Sequence, residues 1–370
     1  MKPTIVLVWE NFGPMHHDRC VAVARGIPEA RVVGLELSSV SSTYSWAQEL
    51  SSDFEKITLT RDRPFPAMAL AKRTALLIGR CLSFRRGATF FFCHYNEPAV
   101  FLTSALLRML GFRCFTMNDS KFDDYERQLP RELFKSFLMA HYNGAVSASV
   151  RSAAYFRFLG FVKRPVLPGY DTFSVARIRG LVVDSQFEEI DYSARHFVVV
   201  ARLIPKKNIA HVLAAFAEYA FRTPNPRKLE ICGAGPLRLD LEERSKALNI
   251  SHLVDFNGHM DTSAVANCVY RSVATVLMST EEQFGFAITE SIALGIPVIV
   301  SRNCGAVDHV KHGYNGYILD PDNVDSLADA MGYLGGDEDR WLDMSRACSE
   351  YLTDIDAHRF AESVQKLAEH

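Results

Sequence analysis

The sequence predicts an α/β protein made of two doubly wound domains, each with a parallel sheet covered by helices on both faces. Its 370 residues are long for one hydrophobic core and ordinary for two. Continuous apolar runs of strand length alternate with amphipathic segments of helix length, which is the pattern of buried parallel strands. The alternation stops once, in residues 168–195, where proline and glycine turns indicate a linker.

The strand-like runs follow one another through both halves of the chain. The first half contains TIVLVW (4–9), RVVGLEL (31–37), ATFFFCHY (88–95), FRCFTM (112–117) and NGAVSAS (143–149). The second half contains HFVVVA (196–201), KLEICG (228–233), LVDFNG (253–258), VATVLMS (273–279), IPVIVS (296–301) and NGYILD (315–320). We therefore predict an N-terminal domain over residues 1–175 and a C-terminal domain over residues 176–354, followed by a helical tail.

Charge is distributed unevenly between these two halves. Residues 1–175 carry a net charge of +7 and the remainder −9, which indicates different partners for the two domains. The basic segment LAKRTALLIGRCLSFRRG (70–87) suits an anionic membrane surface or a phosphorylated substrate. It is equally typical of an amphipathic helix whose basic side chains reach into water.

The cysteines and the apolar segments bear on the compartment. Eight cysteines lie mostly within apolar runs and without CxxC spacing, as expected of buried free thiols in a reducing compartment. The N-terminus lacks the pattern of a signal peptide, and no apolar run approaches the length of a membrane span. We expect a cytoplasmic protein, with peripheral contact at the inner membrane face left open. No basic-aromatic platform indicates nucleic-acid binding.

Three loops that follow strands of the second domain carry candidate binding residues. The first, VVVARLIPKKN, delivers Arg202 and then Lys207, whose charges suit a diphosphate, although a solvated basic loop has the same composition. The second places Gly233 and Gly235 after a strand, where a ligand can approach the backbone or the chain can simply turn. In open parallel sheets such loops border the ligand site.

The third loop begins the stretch STEEQFGFAITESIALG. We predict that Glu282 lies just before a helix and Glu290 about a turn or more inside it, bordering free amides from Phe284 through Gly285 and Phe286 to Ala287. Amides suit phosphate oxygens, whereas carboxylates accept hydrogen bonds from hydroxyls. A ligand with sugars on both sides of a diphosphate fits this mixed lining. Glu282 complementing the helix dipole, with Glu290 on the surface, is the alternative.

The order of these motifs resembles glycosyltransferase family 4. The pattern Arg-x4-Lys, Gly-x-Gly-Pro, then Glu-x-Phe-Gly-x4-Glu followed by ALGIPVIVS covers most of residues 196–325. The resemblance implies the GT-B fold, two Rossmann-like domains facing a cleft, with a nucleotide-sugar donor held mainly by the C-terminal domain. It also implies transfer with retention of configuration and without a metal. A terminal helix of about residues 355–370 would pack back on the first domain.

The resemblance also assigns roles residue by residue. Arg202 and Lys207 would bind the diphosphate, Glu290 the ribose hydroxyls and Glu282 the hydroxyls of the transferred sugar. The remaining donor contacts would come from the amides of residues 284–287, from the closing loop at Gly13, and near the base from Gly233, His259 and Met260. No cofactor is implied, and UDP is expected ahead of GDP as the nucleotide of the donor.

The first domain departs from the family pattern. Many relatives place a histidine after a strand where this chain has Asn118 and Asp119, so Asp119, Lys121 or the pair at 123 and 124 could orient the acceptor instead. A charged loop without a ligand explains the same residues. His16 and His94 also sit at predicted strand ends, where each could contact acceptor or sugar or serve a structural role.

These expectations combine into one function with stated rivals. The chain is expected to move a hexose from a nucleoside diphosphate sugar to a sugar or lipid-linked glycan, in polysaccharide or glycoconjugate biosynthesis. The rivals are a sugar phosphorylase or epimerase on the same fold, and a non-catalytic partner that binds a nucleotide-sugar.

Overall fold

The structure is a computed structural model that describes residues 2–40, 53–84, 86–183 and 190–369. It divides into two compact units, the first of residues 1–174 with 356–370 and the second of residues 175–355. The division between Ser174 and Val175 falls one residue from the boundary predicted from the sequence.

Strands and helices alternate along the described chain. The strands are β1 (Thr4–Trp9), β2 (Arg31–Ser38), β3 (Glu55–Thr60), β4 (Thr89–Phe92), β5 (Arg113–Asn118), β6 (Gly144–Ser147), β7 (Val166–Leu167), β8 (His196–Val200), β9 (Leu229–Cys232), β10 (Val254–Gly258), β11 (Ser272–Leu277), β12 (Val298–Ser301) and β13 (Gly316–Leu319). The helices are α1 (Pro14–Gly26), α2 (Leu70–Leu82), α3 (Pro98–Met109), α4 (Leu129–Met139), α5 (Val150–Phe158), α6 (Val175–Val183), α7 (Ile209–Arg222), α8 (Arg238–Ala247), α9 (Thr262–Tyr270), α10 (Phe286–Ala293), α11 (Val324–Gly336), α12 (Glu338–Ala347), α13 (Leu352–Ile355) and α14 (Ala357–Glu369).

Each unit contains one parallel sheet. The first has the order β3-β2-β1-β4-β5-β6-β7 and the second β10-β9-β8-β11-β12-β13. All the strand-like runs named above form strands, so the predicted α/β class with two doubly wound sheets is confirmed. The sequence reasoning missed β3 and β7. Both are edge strands, and their half-buried residues do not form the continuous apolar runs by which the others were recognised.

Burial explains why the central runs form strands. All six residues of β11 and all four of β4 are buried, as expected of strands covered on both faces. The strand order reverses beside β1 in the first sheet and beside β8 in the second. At such a reversal the loops at the carboxyl ends of neighbouring strands diverge and leave a crevice, the usual place for a ligand. The loops after β1 and β4, and those after β8 and β11, are therefore the places to look for a site.

The last helix belongs to the first unit. The backbone N–H of Ala357 donates to Phe173 O at 2.8 Å, and Ser363 Oγ donates to Pro168 O at 2.7 Å. The aromatic ring of Phe360, which is buried, lies 6.4 Å from the ring of Trp9 in β1. Within the described ranges, none of the helices combines the length and the apolar character needed to cross a bilayer.

Candidate active site

The reversal of the second sheet brings Lys207 and Glu282 into contact. Lys207 ends a short 3-10 helix after β8, and Glu282 lies in the loop between β11 and α10. Lys207 Nζ donates to the Glu282 carboxylate, which also accepts a hydrogen bond from Ser279 Oγ at 3.1 Å. The two side chains are 13% and 14% exposed, so the ion pair is partly shielded from water but still reachable. Two residues 75 positions apart thus form one charged unit.

A second lysine–glutamate pair lies directly beside the first. Lys206 Nζ and Glu281 Oε1 are 2.8 Å apart, and these side chains are 36% and 35% exposed. The backbone N–H of Thr280 donates to Lys206 O at 2.9 Å, which ties the loop after β11 to the loop after β8. The two loops therefore form one continuous surface, with the more shielded pair at Lys207.

Arg202 lies on the same loop as Lys207 and is exposed. Among the described residues its guanidinium has no ion pair or hydrogen bond. A free guanidinium on the same loop as a shielded ammonium suits a polyphosphate group.

Helix α10 begins where the sequence predicted, immediately after Gly285. Gly285 has φ 99°, a left-handed conformation that favours glycine, and a Cβ there would lie 2.6 Å from Cys304 Sγ. Phe284, buried before it, accepts a hydrogen bond from the N–H of Ala306 at 2.8 Å. The segment from Cys304 to Ala306 therefore holds the loop in place. Sequence reasoning missed this support, although the Cys-Gly pair at 304 and 305 was a signal for a close approach.

Glu290 occupies the second turn of α10 and is half-buried. Burial raises the pKa of its carboxyl to about 7, although the positive charge of Arg177 acts in the opposite direction. Such a carboxylate gains from a ligand hydroxyl that donates to it, because that hydrogen bond replaces lost hydration.

The glycines after β9 have a structural reason that the sequence did not reveal. A Cβ on Gly233 would lie 1.9 Å from Ala201 O, and one on Gly235 would lie 2.4 Å from Leu203 O. Neighbouring backbone therefore requires both glycines whether or not a ligand also approaches them. His259 is exposed just after β10, while Met260 packs against the core.

In the first unit, His94, Glu10 and Asp119 gather at the carboxyl ends of β4, β1 and β5. His94 has φ 57°, which is uncommon for a residue with a side chain. Burial opposes protonation of its imidazole, but Cys93, Glu10 and Asp119 outweigh burial and raise the pKa of His94 to about 9. The structure thus brings two of the predicted acceptor residues, His94 and Asp119, into electrostatic contact.

Two carboxyls at this end of the first sheet have raised pKa values. Burial raises the pKa of Asp119, and burial followed by the charge of Asp119 raises the pKa of Asp171 to about 8. Arg19 Nη2 lies 3.4 Å from Asp171 Oδ1 and partly offsets this effect. Sequence reasoning missed Arg19 and Asp171. The aspartate lies in the turn-like stretch LPGYD (167–171), but no spacing connects it with residue 19, which is 152 positions away.

The other first-unit candidates have internal roles. Gly13 caps α1, and its N–H donates to His16 Nδ1 at 2.9 Å. Burial, followed by the charges of Arg19 and His94, lowers the pKa of His16 well below its usual range. Asn118 Oδ1 accepts from the N–H of Ser120 at 2.6 Å in a tight turn. Lys121 is buried in an ion pair with Asp124, so its ammonium does not face a site for an acceptor.

One group of side chains has the composition of a metal site. Potential ligand atoms of His196, Glu230 and Cys268 all lie within 4.8 Å of one another, on the face of the second sheet that α9 covers. Cys268 Sγ donates to Glu230 Oε2 at 3.1 Å, and a ring nitrogen of His196 lies 3.0 Å from Cys268 O. These polar atoms thus already have hydrogen-bond partners without an ion. All eight cysteines of the chain are free.

Comparison with known proteins finds a family match within the second half of the chain. Residues 184–352 match the family described as glycosyl transferases group 1. An uncharacterized glycosyltransferase of Methanocaldococcus jannaschii is 33% identical over 129 residues, which are 35% of this chain and 33% of that protein. A GDP-mannose-dependent phosphatidylinositol monomannoside mannosyltransferase of Mycobacterium tuberculosis is 29% identical over 163 residues, 42% of each chain. The chain thus spans less than half the length of these relatives.

Solved structures extend the likeness to both units. HepE of Anabaena, crystallised with UDP and glucose, has a TM-score of 0.71 over 98% of each chain at 14% identity. At that identity the likeness concerns the fold, which is the GT-B fold predicted above.

Proposed function

We propose that this chain transfers a hexose from a nucleoside diphosphate sugar to a hydroxyl of a sugar or lipid-linked glycan, because residues 184–352 match the group 1 glycosyl transferase family and the fold is similar to GT-B structures. The Lys207–Glu282 pair carries the proposal. It offers one cation for a diphosphate and one carboxylate for sugar hydroxyls, in contact and partly accessible at the reversal of a parallel sheet.

Donor binding would exchange the partners of this pair. A diphosphate brings more negative charge than one carboxylate, so Lys207 would pair with phosphate oxygens while Arg202 takes a second oxygen. Glu282, held by Ser279, would then be available to accept hydrogen bonds from hydroxyls of the transferred sugar. Glu290 would accept from the ribose, and the first amides of α10 would donate to the donor.

The proposed chemistry is transfer with retention of configuration. The bond between the anomeric carbon and the diphosphate oxygen breaks, and the acceptor oxygen bonds to the carbon on the same face. The departing diphosphate oxygen takes the acceptor proton, while Arg202 and Lys207 stabilise the negative charge that develops on it. Because these cations supply the stabilisation, we expect transfer to persist in the presence of EDTA.

The proposal also covers which nucleotide carries the sugar and the compartment in which transfer takes place. UDP is preferred to GDP because HepE has been crystallised with UDP and with UDP-glucose, although the mycobacterial relative is GDP-mannose-dependent. Eight free cysteines favour action in the reducing cytoplasm. A lipid-linked acceptor would require the first unit to approach the inner face of a membrane.

A thermal-shift panel tests the donor site first. UDP, GDP, ADP and their common sugar conjugates are compared on wild type, Glu290→Ala and the control Glu338→Ala, which removes an exposed carboxylate from α12. We expect the nucleotides of one base to raise the melting temperature of wild type and control, and to raise that of Glu290→Ala much less. If no nucleotide shifts any of the three proteins, the donor-site proposal is wrong.

Product analysis then separates the rival reactions. Incubation of the identified donor with inorganic phosphate tests a phosphorylase, and incubation without acceptor tests an epimerase. Donor binding without turnover in these two assays and with a panel of sugar and lipid-linked acceptors would indicate a non-catalytic binding partner.

A further inference from the structure

Helix α4 in the first unit is oriented opposite to the usual amphipathic helix. Its buried residues are Glu132 and Met139. Four large apolar side chains face water instead, each between 62% and 69% exposed: Leu129, Leu133, Phe134 and Phe137. They recur at helical spacing along one face, so they form a continuous apolar strip. An exposed apolar strip of this kind marks an interaction site.

Hydrogen bonds fix this orientation of α4. Glu132 accepts from Tyr155 Oη of α5 and from Lys135 Nζ at 2.9 Å. Ser136 Oγ donates to Leu159 O, at the end of α5, at 2.9 Å. Turning the apolar strip inward would break these bonds and leave charged groups unpaired. The exposure of the strip is therefore built into the fold.

Aromatic residues beside α4 enlarge the apolar area. The ring of Phe122 packs edge-on against Phe158 of α5 at 5.1 Å, and the two side chains are 49% and 53% exposed. We call the strip on α4 together with Phe122 and Phe158 the α4–α5 surface.

The charges around the α4–α5 surface are mainly positive. Arg131 on α4, Arg157 on α5 and Lys163 just after α5 are exposed. Within the described part of the chain these three cations have no ion-pair partner. Of the nearby carboxylates, Asp123 is paired with Arg151 at 2.5 Å, which leaves Glu126 as an exposed acid. The surface therefore combines exposed apolar side chains with unpaired positive charge.

We propose that the α4–α5 surface docks on an anionic lipid bilayer, with Leu and Phe side chains entering the interface and Arg131, Arg157 and Lys163 contacting acidic headgroups. This is the charge pattern of an interfacial helix that lies in the plane of a membrane. A second copy of the chain fits poorly, because pairing two such surfaces would bring six unpaired cations together. The proposal extends the proposed function to a lipid-linked acceptor, but vesicle binding does not depend on transfer.

The proposed membrane contact does not use the basic segment noted in the sequence. Residues 70–82 of that segment form α2, where Arg73 pairs with Glu97 at 2.8 Å and Arg80 lies 4.0 Å from Glu55. Two of its cations are thus already partnered, and Leu77 and Cys81 face the core. Helix α2 also exposes Leu70, Leu76 and Leu82, but each of them is 44% exposed or less, whereas the apolar side chains of α4 are exposed to 62% or more.

Vesicle co-sedimentation of the full chain tests the docking surface. Vesicles of phosphatidylcholine alone are compared with vesicles containing roughly 30 mol% phosphatidylglycerol, using wild type, Phe134→Ser/Phe137→Ser and the control Phe221→Ser. Phe221 is 88% exposed on α7 in the other unit, so its loss removes an exposed ring away from the surface. We expect binding to the anionic vesicles to fall about tenfold or more in the double variant and to stay unchanged in the control.

A charge series gives a second measurement. Arg131→Gln, Arg157→Gln and Lys163→Gln should each weaken binding to anionic vesicles by about fivefold, and added salt should reduce the difference. The matched control is Arg244→Gln, an exposed arginine of α8. Circular dichroism and the nucleotide thermal shift verify that each variant keeps its fold and its donor site.

Three outcomes would overturn the docking proposal. Wild type could fail to bind anionic vesicles, or Phe134→Ser/Phe137→Ser could bind as well as Phe221→Ser. Light scattering could also show a dimer that the double variant abolishes, which would identify the surface as a contact between copies. A retained nucleotide shift in any of these cases would leave the proposed donor site unaffected.

Discussion

The two units gather charge at the same place in a parallel sheet but manage it differently. In the second unit Lys207 and Glu282 have opposite charges and contact each other, in a setting that stays partly open to water. In the first unit His94 is half-buried and Asp171 is buried, and their pKa values move to about 9 and about 8. An opposite charge favours the charged forms of both partners, whereas burial disfavours the charged form. The second unit thus places opposite charges in contact, and the first gathers groups whose pKa values are shifted.

The largest effect is expected for Lys207→Ala. Removing the ammonium takes away the cation that contacts Glu282 and one of the two cations proposed to stabilise the leaving diphosphate, so we expect kcat to fall about 100- to 1,000-fold. Lys206→Ala removes the neighbouring, more exposed pair and should change kcat less than about threefold. Steady-state rates of nucleotide release measure both. Equal effects of the two variants would contradict a special role for Lys207.

Gly285→Ala tests whether the second site depends on a rigid loop. The new Cβ would meet Cys304 Sγ in a left-handed backbone, so we expect the free energy of unfolding to fall by about 3 kcal/mol. Gly313→Ala has a similar φ of 76° but no atom within 4 Å of the added Cβ, and should cost about 1 kcal/mol. Urea unfolding measures the two values. A Gly285→Ala loss no larger than that of Gly313→Ala would show that the contact with Cys304 does not constrain the loop.

Glu290→Gln tests a different side chain of the second unit, because Glu290 is the candidate there whose pKa is raised. A neutral amide should weaken donor binding about tenfold, since it accepts a weaker hydrogen bond than a carboxylate. Titration calorimetry with the identified nucleotide gives this ratio.

The same variant has a pH signature in stability. The folded carboxyl, with its pKa near 7, holds a proton that the unfolded chain releases near 4.5, so wild-type stability falls as pH rises between these values. Glu290→Gln removes that loss and should melt at a higher temperature than wild type at pH 8, with little difference at pH 4.5. A constant difference between the two proteins across this range would contradict burial as the cause.

The smallest effect is expected for His94→Asn, which concerns the first unit. Asparagine tolerates the positive φ of residue 94, so the substitution mainly removes the titrating imidazole. The raised pKa of His94 stabilises the fold fully below about 6.5 and loses this effect as pH rises through about 9. The melting temperature of the variant should therefore lie below that of wild type at pH 6 and approach it at pH 10. If the gap widens with pH, the sign assigned to His94 is wrong.

Much of the second unit was readable from local sequence. The start of α10 after Gly285 and the positions of Glu282 and Glu290 followed from one stretch, because a buried strand, a glycine and an apolar helix face are local signals. The first unit was less readable. Lys121 was a candidate for the acceptor, but nothing in its neighbourhood predicted a buried ion pair with Asp124.

The sequence alone determined the α/β class, eleven of the thirteen described strands and the order of the binding loops, because strand length, helical period and glycine placement act over short distances. The tertiary structure decided which charges meet: Lys207 with Glu282, Arg19 with Asp171 and His94 with Asp119. It also decided that α4 presents its apolar side to water, since Glu132 is held inward by Tyr155 of α5. Pairings between distant residues depend on how strands and helices pack, and no local period encodes that packing.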